Sequence, residues 1–218
     1  MIGLTNSLLA QNNQVHIFDT SPIPEHIQKL KPYRDVHWSR GTINIKSGKE
    51  ITGYLCYVPR VELVLSYKDG KIQTYTPLQI QKFGFFDQIL RCMRHYQSIP
   101  VDSSADSRRY QIYEVITTGN FNLVRKETSS IDAYSYPTEL VSSKLTFDYY
   151  IWDKLTLWPY RKFEKRLLPA LGSENDEIEK YVGIAPSKLT VGHRRRMTRA
   201  LNRLISEGDQ TILTLAKK

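Results

Sequence analysis

Apolar and polar positions alternate with a period of two through residues 41–86. Ile43 and Ile45 alternate with Thr42, Asn44 and Lys46, which predicts a strand with one buried and one wet face. Ser47-Gly48 supplies a turn. The next run, Ile51 to Val58, carries Ile51, Leu55 and Tyr57 on one face and Tyr54, Cys56 and Val58 on the other. Gly53 inside that run suggests a bulge or a tight bend, and Pro59, which lacks a backbone donor, ends it. Val61, Leu63, Leu65 and Tyr67 then alternate against Glu62 and Ser66. Asp69-Gly70 is a strong hairpin signal, and Lys71 to Thr76 is the return strand. Pro77 to Ile80 reads as a single helical turn before a strand over Phe83 to Phe86. Short strands, tight turns and one bend predict a small curled sheet or barrel.

The remaining pattern extends the β body and then changes class. Leu90 to Ile99 reads as a strand, and Pro100 to Ser107 as a polar loop. In Arg109 to Thr118, Tyr110, Ile112 and Glu114 oppose Gln111, Tyr113 and Val115, so both faces carry large side chains. Gly119-Asn120 turns that strand into Phe121 to Lys126. Residues 127–144, rich in Ser, Thr and Tyr, predict a long loop, followed by a strand from Leu145 to Trp152. These later strands form a second layer or extend the first. Phe163, Leu167, Leu168 and Leu171 then recur at helical spacing, with Gly172 as a stop. Ser173, Asp176 and Glu177 predict the cap and acidic first turn of a short helix reaching Tyr181. A last helix runs from about Ser187 to Ser206, with Met197, Ala200, Leu201, Leu204 and Ile205 on one arc. Arg195, Arg196, Arg199 and Arg203 share the opposite arc, and Arg194 falls at the margin, where it is expected to pair with an acid of the body.

The fold class expected is α+β: an antiparallel, β-rich body, either a small bent sheet or an SH3/Sm-like barrel with extra hairpins, and a C-terminal helical segment. Residues 1–40 read as an arm lying on the β body, 41–153 as the β-rich domain, and 154–218 as a helical segment packed on it.

Gly48, Lys49, Glu50 and Gly53, set between strands, resemble the start of an Sm-like or SH3-like small barrel. Where the second RNA-reading motif of Sm proteins would stand, this chain has Ile80-Gln81-Lys82-Phe83-Gly84, so RNA binding by that route is not expected. A second resemblance spans residues 41–205. It rests on the Gly-x-Ile-x-Ile-x-x-Gly opening, the segment from Tyr75 to Phe83, the hairpin from Tyr113 to Leu123, the Tyr149-Tyr150-Ile151 strand and the Phe163 to Pro169 helix. In this order the chain resembles a broad group of exported bacterial proteins of unknown function, which implies export and fold rather than an activity.

Charge adds one regional feature. Of a net charge of +9, residues from Lys188 onward contribute eight basic and two acidic side chains, hence +6. The four arginines of the last helix are therefore candidate anion-binding residues; the alternative is a solvated face whose aliphatic stems cover apolar neighbours.

Other chemistry is sparse in the motifs. His16, His26, His37, His95 and His193 show no metal-ligand spacing, and no nucleophile elbow, P-loop or dinucleotide fingerprint occurs. Asp148 and Asp153 are poorly placed as a carboxylate pair. No cofactor is expected. Cys56 and Cys92 read as buried free thiols or as a disulfide. The apolar start, Met1 to Gln11 with Ala10 at a possible cut, reads as the remnant of a secretory signal and favours export to the periplasm or cell envelope, and no run is long enough to span a membrane.

Three functions follow as expectations. The first is a non-enzymatic exported accessory or interaction protein with a protein or envelope partner. The second is an anion- or nucleic-acid-binding module using the basic helix. The third is a hydrolase with a site between sheet and helices.

Overall fold

The computed structural model describes residues 23–30, 37–87, 90–101, 109–128, 146–162, 165, 180–181, 184 and 188–206. The N-terminal run containing Ala10, most of the loop predicted over 127–144 and most of the helices predicted between 160 and 181 lie outside these residues; residues 127 and 128 of that loop belong to a strand.

Ten strands form a single antiparallel sheet: β1 (Ser39–Ile45), β2 (Glu50–Val58), β3 (Leu63–Lys68), β4 (Lys71–Tyr75), β5 (Ile80–Asp87), β6 (Cys92–Pro100), β7 (Tyr110–Thr117), β8 (Asn122–Thr128), β9 (Thr146–Trp152) and β10 (Leu157–Pro159). Their spatial order is β10-β9-β8-β7-β6-β5-β1-β2-β3-β4. The later strands therefore extend the first sheet instead of forming a second layer. The sheet stays open, with β4 and β10 at its edges, so the bent-sheet alternative holds and the closed barrel does not.

Local chemistry accounts for the turns. Asp69 and Gly70 both take positive φ, 50° and 78°, as the two-residue turn between β3 and β4 requires. β1 pairs with β2 in continuous register through Gly41 and Gly53, so no bulge lies at Gly53. The irregular positions lie elsewhere, at Asn44/Ile45 against β5 and at Val115/Thr117 against β8. At Gly41 a Cβ atom would stand 2.3 Å from the Gly84 carbonyl oxygen, so this close strand approach demands glycine.

The sheet curls strongly. The Tyr57 ring of β2 lies 5.0 Å from that of Tyr96 on β6, although β1 and β5 run between their strands. Lys126 of β8 reaches Glu62, in the β2–β3 turn, at 2.7 Å. Curling lets the inner face bury itself: Ile43, Leu55, Val64, Ile80, Phe83, Tyr96 and Ile112 form one cluster there. Phe83 and Tyr96 stack with centroids 4.7 Å apart and planes 5° from parallel. Ser66, on the arc read as polar, is also buried, because the curl encloses that face of β3 as well.

Helical segments cover what the curl leaves open. α1 (Glu25–Gln28) places Ile23 and Ile27, with Trp38, against Cys56, Val58 and Leu65 on the outer face. Ile23, Ile27 and Trp38 thus pack on the sheet. α2 (Val191–Ser206) seats Met197, Ala200 and Leu201 against Phe121, Leu123 and Ile151. Full burial of a side chain such as Leu201 contributes roughly 2 kcal/mol. Residues 160–162 and 165 are helical, at the start of the predicted Tyr160 helix.

Two residues along β7 from Ile112, Glu114 is the centre of an ion network. Arg94 makes a two-pronged contact with Glu114, Nε to Oε1 at 3.0 Å and Nη2 to Oε2 at 2.9 Å. Arg125 donates to the same carboxylate at 2.7 Å, and Asp87 meets Arg94 at 3.4 Å. Burial alone would raise the Glu114 carboxyl, but the two guanidiniums hold it below the ordinary carboxylate value.

Candidate anion-binding surface

α2 begins at Val191, four residues later than its apolar spacing indicated, because Thr190 caps it. The His193 N–H donates to Thr190 Oγ1 at 3.2 Å, and the Thr190 N–H donates to His193 Nδ1 at 3.3 Å. This reciprocal pairing is a capping box in which imidazole takes the place of the usual carboxylate. From that start the 3.6-residue period puts Met197, Ala200 and Leu201 inward and Arg195, Arg196, Arg199 and Arg203 outward, all four exposed. The structure therefore brings the four predicted arginines onto one solvent-facing surface.

Arg203, in the last turn, complements the negative end of the helix, whereas the arginines nearer its start do not. Arg195, Arg199 and Arg203 follow one another at i, i+4 spacing, where like charges cost about 0.2–0.5 kcal/mol per pair. The first turn of α2 holds no acid to complement its positive end. Among the described residues no carboxylate pairs with Arg195, Arg196 or Arg199. Arg199 also borders a cleft of about 370 Å³ at the end of β7, with His95, Thr117 and Thr118 on the other walls.

Arg194 has a different setting. Its described contacts are with two rings and a carbonyl. Its guanidinium lies 4.5 Å from the Tyr149 ring centroid and 5.3 Å from that of Tyr160, and it donates to the Leu189 carbonyl. These contacts place Arg194 in the wall of a second cleft, of about 340 Å³, between β9 and the helical residues that begin at Tyr160.

The other candidate groups stay apart. His26, His37 and His95 are exposed on separate elements, and His193 is used in the cap; His16 lies outside the described residues. Asp153 accepts from the Leu155 and Thr156 N–H groups at 2.9 and 2.6 Å, a turn-stabilising role, while Asp148 stands opposite Lys126 in the β8–β9 ladder. No described His, Cys or Ser is hydrogen-bonded to a described carboxylate, which is the arrangement the hydrolase reading requires. Cys56 is buried and free, and burial pushes its thiol up to about 11. Cys92 is free too, but exposed at the start of β6, contrary to the expectation that both thiols are buried.

Sequence reasoning missed two features. Arg94, Glu114 and Arg125 were not recognised as a network, although Glu114 at an inward position next to Ile112 was the available signal. The second cleft had no such signal, since Tyr149 and Arg194 are brought together only by the docking of α2 on the sheet at β7 and β8.

Compared with known protein families, curated proteins and solved structures, the chain matches none.

Proposed function

We propose that this protein is a non-enzymatic binding protein whose partner is a polyanion, held on the outward face of α2 by Arg195, Arg196, Arg199 and Arg203. The observation that carries the reading is an array of exposed arginines at the helix-destabilising i, i+4 spacing, three of them without a carboxylate partner among the described residues. A solvated face needs no such concentration of one sign, and mixed charges would serve it better. A polymer of phosphates or carboxylates relieves the repulsion and releases its own counterions on binding.

The test is binding of fluorescein-labelled DNA and of heparin as salt is raised. If about three phosphates are neutralised, the logarithm of affinity for duplex DNA falls with a slope near −3 against the logarithm of salt. The double variant Arg195→Glu/Arg199→Glu abolishes binding while the thermal midpoint holds or rises. Binding that ignores both salt and the double variant refutes the assignment.

A further inference from the structure

The second cleft adds what a basic helix alone lacks, a set of aromatic rings beside the cations. Phe147 and Tyr149 of β9 and Tyr160 line it, and Arg161 and Arg194 stand on its walls. The paired stretch of β10 covers β9 only from Tyr150 to Trp152, so Phe147 and Tyr149 lie beyond the end of that pairing, where the cleft opens. Phe147 and Tyr149 are each half-buried. One face of Phe147 is covered by the Arg125 guanidinium, 4.0 Å from its centroid, which holds the ring in place. Arg161 and its neighbour Lys162 are exposed at the mouth. Asp148 is the one carboxylate of the lining. Arg194, in the wall, is followed in the chain by Arg195, the first arginine of the outward array.

We infer that this cleft receives a base of a single-stranded nucleic acid, whose phosphates run from Arg161 along the arginines of α2. The inference rests on the polyanion reading and narrows it to a ligand class. Arg194 already covers Tyr149 and Tyr160, so a flat π-system would stack on the face of Phe147 opposite Arg125, and stacking of this kind tolerates any base. Duplex DNA keeps its bases paired and stacked, so it can use the arginines but not the cleft. Asp148 disfavours phosphate inside the cleft and leaves the backbone at the basic mouth.

The experiment compares three probes on the full chain at one salt concentration: labelled oligothymidylate of about 12 nucleotides, a length within the site sizes of single-strand binders, a duplex of the same length, and heparin. Oligothymidylate is expected to bind most tightly. Phe147→Ala should weaken it by about 5- to 100-fold and leave duplex and heparin binding unchanged. Arg161→Glu, at an exposed position, serves as the second variant and should weaken the oligothymidylate most. Equal affinity for all three probes, with neither variant selective, overturns the cleft assignment and leaves the polyanion reading standing. Loss of all binding in Arg195→Glu/Arg199→Glu, with heparin preferred to oligothymidylate, points to an acidic polysaccharide and likewise overturns it. A mature chain that begins after Ala10 overturns it too, since it puts the protein away from nucleic acid.

Discussion

Asn202 of α2 makes both backbone hydrogen bonds of a missing strand neighbour to Phe121. Its Oδ1 accepts from the Phe121 N–H at 2.8 Å, and its Nδ2 donates to the Phe121 carbonyl at 2.8 Å. Phe121 is buried, at the turn where the β7–β8 hairpin meets the helix, so water is a poor substitute partner. Gly119 in the same turn lies so close that a Cβ atom there would stand 2.3 Å from Asn202 Nδ2.

This pairing predicts a coupled response. Asn202→Ala leaves two buried backbone groups unmatched and should cost about 2–4 kcal/mol in urea unfolding. Gly119→Ala should cost about 1–3 kcal/mol in the natural chain, because it forces the amide off Phe121. In the Asn202→Ala background the same glycine substitution should be close to neutral, since the three nearest neighbours of the added methyl all belong to the Asn202 amide. Simple addition of the two costs would refute the clamp.

The Arg94–Glu114–Arg125 network predicts acid sensitivity with a definite sign. The folded carboxyl of Glu114 lies below its unfolded value of 4.5, so the unfolded chain binds the proton more tightly. The stability this difference supplies is complete above about pH 4.5 and is lost as pH falls through the lower folded value. Glu114→Gln takes the shared carboxylate from Arg94 and Arg125 and leaves Asp87, 3.4 Å from Arg94, as the described counter-charge, and should cost about 3–5 kcal/mol near neutrality. Its melting temperature should fall less than that of the natural chain between pH 5 and pH 3. Parallel pH curves for the two proteins would show that Glu114 is not the group concerned.

The cysteines should separate by reactivity. A thiol-reactive dye at mildly alkaline pH should label Cys92 rapidly in the folded protein. Cys56, 1% exposed and with its thiol raised to about 11, should react only at the rate of unfolding. Mass spectrometry of the labelled peptides checks this. Prompt labelling of both would mean that the outer-face cluster with Ile23, Ile27 and Trp38 opens readily.

Strand-level readings held where a short-range rule applied. Asp69-Gly70 can only be a tight turn of positive φ, and Gly119-Asn120 joins β7 to β8 as expected. The two faces of Ile51 to Val58 separate into two clusters, Leu55 with the inner and Cys56 with the outer. The arginine array was legible as well, because helical periodicity assigns one residue to each bearing. Ser66 was misread because the curl of the sheet decides what covers that face of β3, and Cys92 because it stands exposed at the first position of β6.

The sequence by itself determined the short strands, their tight turns and the outward arc of Arg195, Arg196, Arg199 and Arg203, since these follow from alternation, backbone permissiveness and helix pitch. Only the tertiary structure decided that the strands form one open curled sheet, that Glu114 is shared by Arg94 and Arg125, and that Tyr149 and Tyr160 flank Arg194. Those outcomes depend on twist and docking accumulated over many residues, which no local pattern encodes.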